Sequence, residues 1–254
     1  MLLPSRISDP SFHRSAAAPC EFFVRVQAFI RLLPVALAVV FVYSTAQARE
    51  YGRYYPKRIL TVSNSPSGTR HGIDLEYLDL ILDDLSTHAK NYPPTFDTPQ
   101  DRQRAIQNIA MLSGMLDILV NDPDPSQEIL LRAGYLNSMG HNLDISGSAL
   151  RAIDCFEKLL VIAPDHPLGN YRYGKFLAES NNGRRALPYL RKAHSLGVVD
   201  ADYTLGLTCL GLGDKQSALE YLQAYRKACP GALNVDFLIN AIRNGNLQFK
   251  TTDQ

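Results

Sequence analysis

The chain has 254 residues, 26 of them basic and 25 acidic, with 46% hydrophobic residues, no tryptophan and four cysteines. A net charge of +1 and the absence of any basic stripe interleaved with aromatics argue against nucleic acid as a partner. The length accommodates one extended core, or a small domain followed by an array.

The first element is a leader. Leu32 to Val42 is an uncharged apolar run, preceded by Arg25 and Arg31 and followed by Ala46-Gln47-Ala48. Charge, short apolar stretch and a small-x-small site make residues 1–48 a secretory signal peptide, with cleavage expected before Arg49. The run falls short of the about 20 apolar residues that span a bilayer, so membrane association is expected only if the leader stays uncleaved. Removing residues 1–48 takes four arginines and two acids, leaving 22 basic and 23 acidic residues. The exported chain, periplasmic or secreted, is near neutral and keeps Cys155, Cys209 and Cys229, which fit buried, unpaired positions in a helical stack.

Residues 49–73 are rich in Tyr, Pro, Ser and Gly. Only Ile59 to Val62 resembles a strand, and one short strand is not stable alone, so the segment is read as an extended arm. Ser65 to His71, with Arg70 and His71 as candidate anion contacts, is read as a polar loop, because nothing in the sequence ties it to a helix start. Residues 74–121 form a helical hairpin. Asp74 caps a helix whose Leu75, Leu78, Leu82 and Leu85 make one apolar stripe; Tyr92-Pro93-Pro94 stops it; Thr98-Pro99-Gln100-Asp101 starts a second helix carrying Ile106, Ile109, Leu112, Leu116 and Leu119.

From residue 122 a repeat governs. Gly140, Gly174 and Gly206 each stand twelve residues before Ala152, Ala186 and Ala218, and four residues behind those alanines come Phe156, Leu190 and Leu222. The steps are 34 and then 32 residues, the period of stacked helix pairs. Helices are predicted near 125–142, 147–162, 167–180, 184–196, 200–211 and 214–228, with Gly147, Asn181-Asn182-Gly183 and Gly211 to Gly213 as turns. Residues 231–254 supply a capping helix near 234–242 and a polar tail.

Residues 122–230 thus carry three units that resemble the tetratricopeptide repeat, on Leu136, Met139-Gly140, Leu143, Ala152, Phe156 and Pro164 in the first, Asn170, Tyr173-Gly174, Leu177, Ala186 and Leu190 in the second, and Asp202, Leu205-Gly206, Cys209, Ala218, Leu222 and Pro230 in the third. The first aromatic of that family's pattern is absent throughout, and residues 74–121 have the size of a divergent leading unit without its markers. The resemblance implies an all-α fold, antiparallel helix pairs stacked as a right-handed solenoid, and the chain is similar to exported bacterial repeat proteins. It also implies that the first helix of each unit lines a concave groove, with Asn137, His141, Tyr171, Lys175 and Tyr203 facing it and Arg172 beside them.

No catalytic spacing is present: H-E-x-x-H, C-x-x-C, G-x-S-x-G and the phosphate-binding G-x-x-x-x-G-K-[ST] are all missing. Asp122 to Ala133 begins like a calcium loop but has Gln127 where glycine is required and Ala133 where a bidentate glutamate belongs. The histidines of the array, His141, His166 and His194, occupy separate positions, so neither metal nor cofactor is expected. The sequence reads as a non-enzymatic module that binds a peptide or protein in the groove. A structural spacer or assembly subunit is the alternative, and an enzyme accessory subunit the third reading.

Overall fold

The computed structural model describes residues 50–65 and 68–245. Residues 1–49, 66–67 and 246–254, and with them the predicted leader, its cleavage site and the tail, lie outside the described residues. Helices follow in order as α1 (Leu75–Ala89), α2 (Pro99–Val120), α3 (Gln127–Asn142), α4 (Ser148–Ile162), α5 (Pro167–Glu179), α6 (Gly183–Ser195), α7 (Asp200–Gly211), α8 (Lys215–Ala228) and α9 (Leu233–Arg243). Their starts are written locally. The Asp74 carboxylate accepts from Tyr77 N at 2.9 Å, the Thr98 hydroxyl from Asp101 N at 3.1 Å, and the Asp214 carboxylate from Ser217 N at 3.0 Å. Each satisfies an orphan amide of a first turn. Gly147 turns α3 into α4 with φ at +77°, a region open to glycine.

The helices stack as antiparallel pairs, α3 on α4, α5 on α6 and α7 on α8, while α1, α3, α5 and α7 touch in series along one face. This is a tetratricopeptide-like all-α stack. The repeat glycines are where the members of a pair come closest. A Cβ on Gly174 would lie 2.7 Å from Leu190 Cγ, and one on Gly206 would lie 2.6 Å from Leu222 Cγ. The glycine therefore admits the large apolar residue of the repeat, with the alanine buried one turn earlier. Gly140 departs from the pattern, its place being closed by Ser148 Oγ at 2.7 Å and Ile109 Cγ2 at 3.1 Å. Leu136, Phe156, Tyr173, Leu190, Leu205 and Leu222 are fully buried, each contributing on the order of 1.5–3 kcal/mol of apolar transfer. α9 closes the last face with Val235 and Ile239 buried.

Residues 50–73 are not the extended arm that the sequence predicts. Residues 50–55 form a strap, Pro56–Ile59 a 3-10 turn that packs on both α1 and α2, and Leu60–Ser65 and Gly68–Ile73 the antiparallel strands β1 and β2. Leu60 stands opposite Ile73 and Ser65 opposite Gly68. The reading of 65–71 as a loop fails because β2 has two glycines and no apolar alternation; its extended form comes from pairing with β1 rather than from propensity. Tyr51 and Ile59 are fully buried, so the predicted hairpin of α1 and α2 has a third component wedged into it.

No described helix is long and apolar enough to cross a membrane. Cys155 and Cys209 are buried free thiols, and Cys209 does not pair with Cys229. Cys229 caps the end of α8, whereas the other two stand inside helices.

Candidate functional site: the inner-helix face

The inner helices α1, α3, α5 and α7 present a continuous face on which every predicted binding residue originates except buried Asn137. Arg132 on α3 reaches back to α1, its Nε and Nη2 donating to the two oxygens of Asp79 at 2.7 Å each, and it pairs with Glu128 one turn earlier. One turn further along α3, the Tyr135 ring carries the Arg172 guanidinium of α5 at 3.9 Å from its centroid. Such a stack holds a planar cation in one orientation. Arg172 makes no ion pair among the described residues, although Asp79 and Asp83 act on it through space.

The end of α1 is stapled by two later helices. Asn142 Nδ2 of α3 donates to Ala89 O at 2.9 Å, and Lys175 Nζ of α5 donates to Lys90 O at 3.0 Å and Asn91 Oδ1 at 3.2 Å while pairing with Glu179. Both bonds satisfy carbonyls that a helix end leaves without partners, and a cation there complements the helix dipole.

Burial shapes the titration of this face. It lowers the Arg172 pKa, with the like charge of Arg132 adding to the effect, and raises Tyr135 and Tyr171 above the ordinary phenol value. Asp83 is raised by burial and then by Asp79; Asp200, at the start of α7, is raised by burial and drawn back by Lys90. Lys90 is lowered by burial and by the charge of Lys175. Carboxylates, cations and phenols thus share a partly desolvated surface.

The six predicted residues meet different fates. Asn137 is 1% exposed and spent internally: it accepts from Ser113 Oγ at 2.9 Å and donates to Ala133 O at 2.9 Å, so it fixes α3 against α2 and presents nothing to a partner. His141 is exposed, its ring edge-on to Phe176 at 5.6 Å. Tyr171 is half-buried, packed against the apolar cluster that includes Leu205 of α7. Tyr203 is half-buried with its ring 5.3 Å from that of Tyr225. Arg172 and Lys175 lie as described, the first with open donors, the second committed to α1. Tyr135, Asp83, Lys90 and Asp200 belong to the same face and escaped sequence reasoning. Residues 135, 169 and 201 are equivalent places in the repeat, occupied by Tyr, Gly and Ala, so no recurring signal marks Tyr135. No cluster of three or more potential metal ligands exists among the described residues.

No family model matches the sequence. A peroxisomal targeting signal receptor of Candida albicans is 38% identical over 74 residues, which is 28% of this chain and 12% of the receptor. Among solved structures, MamA is similar at a TM-score of 0.49 with 23% identity, covering 60% of this chain and 86% of its own. A thermophilic TPR protein of Thermus thermophilus is similar at 0.46 with 13% identity, covering 67% of this chain and 92% of its own.

Proposed function

We propose that this chain is a non-enzymatic protein–protein interaction module that receives an extended peptide or a protein surface on its concave face, outside the cytoplasm. The observation that carries the reading is Arg172, a cation oriented on the Tyr135 ring at 3.9 Å that makes no ion pair among the described residues. An oriented, unpaired guanidinium beside phenols is the composition of interface hot spots. Tyr171, one residue earlier on α5, widens the platform, and His141 adds an exposed ring at its edge. Export rests on the leader; a cut after Ala48 spares Tyr51, the first buried residue of the body.

Capture from a periplasmic or culture extract with the parent chain, Arg172→Ala and the outer-helix control Arg191→Ala, identified by mass spectrometry, tests this reading. A partner retained by Arg191→Ala and lost with Arg172→Ala supports it. A partner that all three hold equally removes the concave face from the interface. The second reading, a spacer or assembly subunit, is favoured by the internal bonds of Asn137 and Lys175, which spend two of the six predicted contacts on holding helices together.

A further inference from the structure

We propose, building on the interaction-module reading, that the inner-helix face holds a side-chain carboxamide, the Asn or Gln of a bound segment, between Asp83 of α1 and Arg172 of α5. The helices α1 and α3 run parallel in a fixed register. Arg132 meets Asp79, and ten residues further along both helices (79 to 89 and 132 to 142) Asn142 meets the Ala89 carbonyl. The offset of 53 residues at both points sets Asp83 level with Leu136, beside Tyr135, whose ring carries the Arg172 guanidinium at 3.9 Å. Asp79 spends both carboxylate oxygens on Arg132. Asp83, one turn later, is exposed and makes no ion pair among the described residues, and neither does Arg172. Beyond the effect of burial, each favours the charged form of the other through space. Two opposite charges therefore stand level on the helices that flank α3, and they do not meet.

That arrangement selects a group with an acceptor and a donor at the same end. Stacking fixes the plane of the guanidinium, so Arg172 offers its N–H groups past the edge of the ring. A carboxylate would accept from them but bring no donor to Asp83, and it would face the like charges of Asp79 and Asp83. An ammonium would donate to Asp83 and meet the like charges of Arg132 and Arg172. With these two acids balancing these two cations, neither sign of charge is drawn in. A carboxamide is neutral and presents its oxygen and its NH2 group side by side, so the oxygen accepts from Arg172 while the nitrogen donates to Asp83. A single main-chain amide does not substitute for it, because a trans peptide unit points its C=O and N–H in opposite directions. Repulsion of the charged rivals supplies specificity alongside the two hydrogen bonds.

The test titrates the full, isotope-labelled chain with three probes that share their main-chain amides: N-acetylglutamine amide, N-acetylglutamate α-amide and N-acetylalanine amide. The Arg172 Nε–H resonance, assigned by its absence from Arg172→Lys, reports binding. The glutamine probe is expected to shift it saturably, with a dissociation constant roughly tenfold below those of the other two, the effect of one hydrogen bond to a charged group. In Asp83→Ala, checked for unchanged helical circular dichroism, the preference for glutamine over glutamate should vanish. Glutamate or alanine probes that bind as tightly as the glutamine probe, no saturable shift with any probe, or a glutamine preference that survives Asp83→Ala each overturns the proposal. A partner still lost with Arg172→Ala in the capture experiment would then leave the interaction module standing and remove only the carboxamide.

Discussion

Adding one methyl group at Gly174 and one at Gly114 should move stability in opposite directions. Both glycines lie inside helices, where alanine is favoured over glycine by about 1 kcal/mol through backbone entropy alone. At Gly114 on α2 a new Cβ meets nothing within 4 Å, so Gly114→Ala should gain roughly 0.5–1 kcal/mol. At Gly174 the same Cβ lies 2.7 Å from Leu190 Cγ, 2.9 Å from its Cδ2 and 3.1 Å from its backbone nitrogen. The Cγ is a branch point rather than a free tip, and the backbone contact prevents Leu190 from simply rotating away, so α6 must shift. Overpacking of this kind costs about 1–3 kcal/mol; with the cost in the upper part of that range, the net loss after the helix gain is about 1–2 kcal/mol. Helical circular dichroism through thermal and urea unfolding measures both variants, with about 2–4 °C expected per kcal/mol for a protein of this size. Shifts of the same sign would refute the close approach of α5 and α6 at Gly174, and Gly174→Leu should be worse than Gly174→Ala.

Four further outcomes are expected. Tyr51→Phe leaves Asn108 Nδ2 buried without its acceptor and should cost about 1–3 kcal/mol, while Tyr51→Ala also empties a buried site and should cost about 3–5 kcal/mol, both read by denaturant unfolding. Asp83→Asn and Asp200→Asn should each stabilise the chain slightly at pH 7, because a carboxylate whose folded pKa is raised is penalised when ionised; the advantage should fade as pH falls through the carboxylate range near 4, where folded and unfolded chains are both protonated. Cys155, whose pKa burial pushes up to about 12, should resist a thiolate-selective alkylating reagent at pH 8 in the native chain and react after unfolding. Arg172→Ala should weaken partner binding by roughly 2 kcal/mol without changing the melting temperature as much as Lys175→Ala does, since only Lys175 holds another helix end.

The helices were legible because their signals are local: caps at Asp74 and Thr98, prolines at Pro99 and Pro167, and apolar residues at three and four are all read within one or two turns. The strap was not. Tyr51 finds Asn108 and Asp84 holds Gly52 and Tyr54 across loops and helices, and no period in the sequence records a pairing so distant. The inner-helix face was half legible. Repeat geometry placed Tyr171 and Lys175 on α5, but the rule left α1 out, and α1 supplies Asp79 and Asp83 and ends at the Lys90 carbonyl that Lys175 binds. The same rule carried Asn137 to the groove, whereas Ser113, a partner on the preceding outer helix, turns it inward.

In a solenoid each unit ordinarily feels only the next, and an end unit can unravel while the rest stands. The bond from Lys175 to Lys90 O breaks that locality, since it ties the second repeat to the end of α1 past the whole of the first repeat. With Asn142 fastening the adjacent carbonyl, the leading helices cannot peel away without also loosening α5. Amide exchange along the chain should therefore show α1, α3 and α5 opening together as one cooperative block, with α8 and α9 the first to fray.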